Sequence, residues 1–332
     1  METKRPTVPA AEEILGGYFP VLDHGFVSLV DYMGSDADVE RAARVSYGYG
    51  TRKVSATRGL IRYLRRHHHT TPSEMVELKF HCAMPMFVAR QWIRHRTANV
   101  NEYSGRYSLM PLLFYRPEHE QFALQSQSNR QGREGGRAPE SLYSEAMERW
   151  EEIRSRASDA YSWMVSEDVA RELSRIDLPL STYTQWYWKI DLHNLLHFLT
   201  LRVDPHAQWE IREYGRVMAG MVKRVAPLSY EAWVDYDLEG VRMSQADRRA
   251  LSSLLEVLDD SDGGGTGGSD GDGAGGGIRA RDGAGTLTDD ELGELGLSGR
   301  EVRELKDKLR PADEVPDFEL DLSAMRSAEE VG

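Results

Sequence analysis

Apolar positions recur along this chain at two spacings, and each predicts its own kind of element. Strict alternation marks residues 76–82. Val76, Leu78, Phe80 and Cys82 point one way and Glu77, Lys79 and His81 the other, as in a half-buried strand. An apolar run at 26–30 and a β-branched, aromatic stretch at 182–190 predict two more strands. Helical spacing puts Leu60, Ile61 and Leu64 on one stripe of a helix over 57–66. An earlier helix opens at Ser35-Asp36-Ala37-Asp38 and runs through Val45. Pro85 suits the first turn of a helix from Met86 to Arg94. On it Gln91, Arg94 and His95 stand at i, i+3 and i+4 and would share a face. Further helices are expected over about 141–167, 169–175 and 206–225. Asp191 is placed to cap a helix carrying Leu192, Leu195, Leu196, Leu199 and Arg202, which Pro205 ends. Residues 67–74 and 125–138 are polar and read as loops.

The composition divides the chain. Its 332 residues are 40% hydrophobic, with 7 Trp and 15 Tyr, enough for one substantial core. From residue 259 the character changes. Glycine runs at 263–268 and 271–277 form a flexible linker, and no Gly-Lys-Ser/Thr follows to make it a phosphate loop. Beyond it Leu292, Leu295, Leu297, Val302, Leu305 and Leu309 suit short amphipathic helices. The expected organisation is a lead-in at 1–17, a catalytic domain at 18–240, a helix end and linker at 241–286, and an acidic accessory tail at 287–332.

Charge follows the same division. Residues 259–332 hold 20 Asp/Glu against 8 Lys/Arg, a net −12, so the rest of the chain supplies only −1 of the total −13. A near-neutral body with an acidic end argues against a general nucleic-acid binder. The single cysteine, Cys82, excludes an internal disulfide and a multi-cysteine metal site, and a reducing, cytoplasmic setting is expected. No signal-peptide pattern and no apolar run of membrane-spanning length is seen.

Three groups of residues carry candidate chemistry. Residues 94–106, Arg-His-Arg-Thr-Ala-Asn-Val-Asn-Glu-Tyr-Ser-Gly-Arg, bring four Arg or His and one carboxylate into thirteen positions. Guanidinium forks fit phosphate oxygens bidentately, while Glu102 and Ser104 offer contacts beyond a phosphate. A phosphorylated ligand and a structural salt-bridge knot are the competing readings. His193 and His197 stand i, i+4 on a helix, as metal ligands can, but lack the intervening glutamate of the His-Glu-x-x-His motif. No metal is expected. Cys82 falls on the apolar side of its strand with no activating cation, which suits a structural thiol.

Several ordered segments resemble the flavin-dependent thymidylate synthases. Arg94-His95-Arg96, then seven residues, then Ser104 matches that family's signature. Phe87-Val88-Ala89-Arg90-Gln91-Trp92 precedes it, and Asn101-Glu102-Tyr103-Ser104-Gly105-Arg106-Tyr107 runs across its end. Arg41-Ala42-Ala43-Arg44-Val45-Ser46, His69-Thr70-Thr71-Pro72-Ser73-Glu74, Arg175-Ile176-Asp177-Leu178-Pro179 and the run from Leu201 to Gln208 look similar too. The likeness covers about residues 20–235.

The resemblance implies an α+β fold, with a central, mostly antiparallel sheet and long helices, of the thymidylate synthase-complementing-protein type. It implies a methyltransferase that makes dTMP from dUMP. The carbon donor would be 5,10-methylenetetrahydrofolate, and NADPH-reduced FAD the hydride source. Gln91, Arg94, Glu102, Ser104, Gly105, Arg106, Arg175 and Arg202 would hold dUMP, with Arg202 polarising the pyrimidine in place of an enzyme nucleophile. Ser46, Thr71, Glu74, Arg94, His95, Arg96, Thr97, Glu102, Asp191, His193 and His197 would hold FAD. His69 would lie beside the flavin and folate. Family members commonly carry Asn at the places of Asp191 and His197; both replacements can still hydrogen-bond. A homotetramer with shared active sites is implied as well. Two other classes stay open: a nucleotide- or RNA-binding protein without redox chemistry, and a zinc hydrolase using His193 and His197.

Overall fold

The computed structural model describes residues 6–45, 57–126, 132–257, 278–280, 287–309 and 315–331. Two units are distinguished, one formed by Met1–Leu238 with Pro316–Gly332 and the other by Glu239–Val315.

The first unit is built on a five-stranded antiparallel sheet. Its strands are β1 (Tyr18–Val21), β2 (Gly25–Met33), β3 (Glu77–Pro85), β4 (Asn99–Glu102) and, later in the chain, Tyr183–Asp191. That last strand becomes β7, because Ala123–Gln125 (β5) and Arg133–Arg137 (β6) form a separate hairpin. The order across the sheet is β1-β2-β3-β7-β4. The predicted alternation of β3 sets the core. Leu78, Phe80, Cys82 and Met84 are fully buried, and register places Phe80 between Leu29 and Trp188, and Cys82 between Val27 and Trp186.

Helices cover that face. In chain order the first unit has α1 (Pro9–Glu12), α2 (Asp36–Val45), α3 (Thr57–Arg66), α4 (Met86–Trp92), α5 (Glu140–Ser166), α6 (Arg171–Ser174), α7 (Leu192–Arg202), α8 (Trp209–Val225) and α9 (Pro227–Trp233). α7 buries Leu192, Leu195, Leu196, Phe198 and Leu199; α8 buries Ile211, Tyr214, Met218 and Val222. Trp92, closing α4, meets Phe198, Trp186, Trp188 and Tyr214, so one indole ties α4 to sheet and helices alike. Large buried aromatic side chains of this kind bring much apolar area to a core.

Several expectations need correcting. α4 ends at Trp92, two residues before Arg94, and winds out through Arg94 N–H to Gln91 and His95 N–H to Trp92. Gln91, Arg94 and His95 therefore do not share a helical face. The cationic stretch is not all turn: residues 99–102 pair with β7, a strand hidden from pattern reading because all four residues are exposed. Segment 125–138 contains strand β6, and its residues 127–131 lie outside the described residues.

The ends of the chain differ from the expected organisation most. In the lead-in, Ala11 and Ile14 are fully buried. The expected tail at 287–332 divides between the units. Asp289–Glu294 and Gly299–Lys308 are helices of the second unit, where Leu292, Leu297, Val302 and Leu305 pack with Ala250 into a small core. Residues 316–331 belong to the body instead. Leu320 joins its core, Phe318 N–H donates to the Tyr230 hydroxyl at 2.8 Å, and Arg326 exchanges both backbone hydrogen bonds with Tyr18 on edge strand β1. Alternating Phe318, Leu320 and Leu322 supplies the apolar side of this strap.

Candidate active site

The signature turn follows α4, and α7 ends beside it. Arg202, the last residue of α7, donates from Nε to His95 Nε2 at 3.0 Å. The His95 ring packs edge-on to Phe198, with its centroid 4.8 Å away, and the His197 ring lies 6.5 Å off. Because His95 accepts at Nε2, its neutral ring carries the proton on Nδ1. Burial, then the neighbouring Arg202 and His197, hold its pKa down at about 4. Burial also lowers the Arg202 guanidinium from its ordinary value.

The second half of the signature has different partners. Glu102 ends β4 and accepts from the Thr184 hydroxyl at 2.8 Å. The Ser104 carbonyl closes a turn by accepting from Tyr107 and Ser108 N–H groups, and its Oγ accepts from Arg106 N–H at 3.3 Å. Gly105 lies against Arg175: a Cβ there would sit 3.0 Å from Arg175 Cδ and 2.6 Å from Met110 Sδ. Arg106 pairs with Glu172 at 3.0 Å on the surface. Arg94 and Arg96 have no side-chain hydrogen bond or ion pair among the described residues and are exposed. That separates the salt-bridge-knot reading from the ligand reading: two of the cluster's cations, Arg94 and Arg96, are not satisfied among the described residues.

A third group gathers around the start of α7. Thr71 and Glu74 stand in a 3-10 turn, Thr71–Met75, which packs on α7. Glu74 accepts from the Thr70 hydroxyl at 3.2 Å. Asp191 caps α7 as its position predicts, accepting from Asn194 N–H at 2.9 Å and from the Asn194 amide at 2.7 Å. His193 has a buried Nδ1 with no partner, and burial followed by Arg65 lowers its pKa. His69 is exposed beside Tyr63, ring centroids 5.8 Å apart. Thr97 is exposed in the turn, and Ser46 lies outside the described residues.

Two sets of residues went unread in the sequence. Gln91 donates its amide to Gln208, which stands in the segment 201–208 that carried the resemblance but had no role there. Behind Gln208 lie Glu210, Tyr115 and Arg133, which also wall a cavity of about 500 Å³ with Phe87, Trp150 and Arg154. The signature arginines do not line it. Cys82 is fully buried and desolvation raises its thiol well above the ordinary range, so it is not a nucleophile.

Comparison with known proteins decides the family. The family model for thymidylate synthase complementing protein matches residues 28–228. The chain is 54% identical over 245 residues to the flavin-dependent thymidylate synthase of Gluconobacter oxydans, covering 73% of this chain and 80% of that protein.

This chain belongs to the flavin-dependent thymidylate synthase family.

A second family member, from Rickettsia bellii, is 47% identical over 265 residues, 76% of this chain and 90% of that one. Among solved structures, the UMP/dUMP methylase PolB from Streptomyces cacaoi bound with 5-Br dUMP superposes with a TM-score of 0.60 at 30% identity. The match covers 66% of this chain and 98% of that one. The antiparallel sheet and its helices thus have the fold that the resemblance implied. A binding protein without redox chemistry finds no support among these relatives.

Proposed function

We propose that this chain converts dUMP to dTMP by reductive methylation, with 5,10-methylenetetrahydrofolate as carbon donor, FAD as cofactor and NADPH as reductant. The observation that carries the reading is the Arg202–His95 contact, which joins the end of α7 to the Arg-His-Arg signature. Arg202 spends only Nε on His95, leaving its two terminal nitrogens without partners among the described residues. A guanidinium so held would face the pyrimidine near N3 and stabilise negative charge on N3 and O4, the polarised form in which C5 is nucleophilic enough to attack the methylene carbon. No enzyme thiol is required, in keeping with the buried Cys82.

The residues fit a dinucleotide cofactor. His193 Nδ1 is buried and unpartnered, and Arg94 and Arg96 have free forks that suit a pyrophosphate. Ser46, Thr71, Glu74, Arg94, His95, Arg96, Thr97, Glu102, Asp191, His193 and His197 would hold FAD. When bound, FAD supplies the hydride that completes the methyl group. Gln91, Arg94, Glu102, Ser104, Gly105, Arg106, Arg175 and Arg202 would grip dUMP, and His69 would border the flavin and folate. Asp191 has both oxygens engaged by Asn194, so any cofactor contact would use its remaining acceptor capacity.

A homotetramer completes the proposal. Ile153, Trp163, Leu173, Ile176 and Leu180 are all exposed on or after α5, with Trp163 at 63%. Exposed apolar side chains of this size suit cover by further copies of the chain. The cellular setting proposed is the cytoplasm.

An absorbance scan of the purified protein before and after anaerobic NADPH, followed by a dTMP assay with dUMP and the folate, tests the proposal. A flavin spectrum that bleaches, with dTMP formed, is expected. Protein without flavin that makes no dTMP overturns it. Sedimentation equilibrium checks the tetramer, and a monomer at micromolar concentration would refute it.

A further inference from the structure

Gln91 is the first member of a hydrogen-bonded chain that leads away from the signature. Its Nε2 donates to Gln208 Oε1, and Gln208 Nε2 donates to Glu210 Oε2 at 2.8 Å. The other oxygen of Glu210 accepts from Tyr115 at 3.2 Å and from the Arg133 guanidinium. Glu210 is 1% exposed. Its partners Tyr115 and Arg133 are both donors, so Glu210 stands among them as the acceptor. Burial, then Glu210 itself, push the Tyr115 hydroxyl well above its ordinary range, so it remains a donor.

The direction of the whole chain follows from that one carboxylate. An amide can present either its nitrogen or its oxygen to a neighbour, and the neighbour's chemistry decides which. Glu210 does. Gln208 must turn its nitrogen towards the carboxylate and therefore its oxygen towards Gln91. Gln91 must then turn its nitrogen towards Gln208. The far side of the Gln91 amide is left with its carbonyl oxygen and one N–H in a fixed arrangement. Without the carboxylate both amides could flip together at little cost. Arg133 comes from β6, in the segment that sequence reading left without a role, and it also donates to the Gln121 carbonyl at 2.9 Å.

We propose that Glu210 is a positioning residue for nucleotide binding, acting through Gln208 to fix the orientation in which the Gln91 amide meets dUMP. The proposal rests on the reading of Gln91 as a dUMP contact. Gln208 and Glu210 touch the substrate only through it.

Calorimetric titration of the flavin-loaded, full-length enzyme with dUMP tests it. The set comprises the parent, Gln91→Ala, Glu210→Gln, Gln208→Met and the pair Gln91→Ala/Glu210→Gln. Glu210→Gln preserves volume and shape but replaces one acceptor oxygen with an NH2 donor, so a packing role would leave dUMP affinity unchanged. The relay predicts a loss of about tenfold for Glu210→Gln and for Gln208→Met, the size of one misdirected hydrogen bond. It also predicts that the double variant binds no more weakly than Gln91→Ala alone. Flavin content and melting temperature confirm that each variant is folded. Unchanged affinity in Gln91→Ala would overturn the assignment of Gln91 to dUMP and the relay with it. A weakened Gln91→Ala beside an unaffected Glu210→Gln, or additive losses in the pair, would overturn the relay alone.

Discussion

Arg202 donates from Nε to Nε2 of His95 across 3.0 Å, joining residues 107 positions apart in the chain. The contact needs a neutral imidazole, since a protonated ring has no lone pair to accept with. Burial and two neighbouring cationic or ionisable groups keep it neutral, with a pKa of about 4 against an ordinary 6.5.

The sign of the pH effect follows. A histidine whose folded pKa is depressed is neutral above that value, and its contribution is lost as pH falls through it. The contact should therefore persist from neutral pH down to about 5. Turnover at saturating substrates should show no inflection near 6.5 that belongs to His95. An acid limb at 6–7 that vanishes in His95→Gln would show that the ring titrates normally.

Removing the guanidinium should separate binding from chemistry. Arg202→Ala is expected to lower kcat about a hundredfold or more, the scale of one lost transition-state donor, while flavin content stays near that of the parent. Arg202→Lys should not restore the rate, because one ammonium cannot reach His95 and the pyrimidine as a planar fork does. Rapid-quench kinetics with the flavin spectrum recorded on the same samples makes the comparison. Parallel loss of flavin and turnover would contradict the assigned role.

Gly105 offers a steric test of the nucleotide end. A methyl group there would stand 2.6 Å from Met110 Sδ and 3.0 Å from Arg175 Cδ, so one of them must move. Met110 is buried and Arg175 is the freer of the two. Gly105→Ala should raise the KM for dUMP several-fold by displacing Arg175, and adding Met110→Ala should recover part of the loss. A KM equal to the parent's would remove Arg175 from the site.

How much was legible in the sequence depended on periodicity. β3 and α3 were readable because each buries one face against one core, which imposes a period of 2 or 3.6 on the residues themselves. β4 was not, because its residues are exposed on both sides and only pairing with β7 makes them a strand. The signature residues were recognisable by spacing, yet their division of labour was not. That Arg202 reaches His95 depends on α7 ending beside the turn after α4, a tertiary fact. Glu210 was unreadable for the same reason: a buried carboxylate shows itself by its partners, and Arg133 and Tyr115 are 77 and 95 residues away.

The strap formed by residues 316–331 was concealed by composition. Its acidic residues made it look like solvated tail, but Asp317 pairs with Lys223 at 2.6 Å and Glu319 pairs with the same lysine. Leu320 is 9% exposed and lies against Gly220, where a Cβ would come within 2.8 Å of its side chain. Leu320→Ala should therefore cost about 2 kcal/mol, the low end for a buried leucine because the site is at the margin of the core. Deletion of residues 316–332 should cost more, since it also strips the partner of edge strand β1 and frees Met325 from its seat against Gly17. Chemical denaturation of the full-length chain, the Leu320→Ala variant and the deletion gives the order directly. The folded Leu320→Ala protein should keep its kcat, because among the described residues the strap's hydrogen bonds and ion pairs to the rest of the body go to Tyr18, Lys223 and Tyr230 and not to residues assigned to the reaction. Equal stability of all three would mean that the strap is a bystander, and that the body's β1 edge and the α8 surface need no cover.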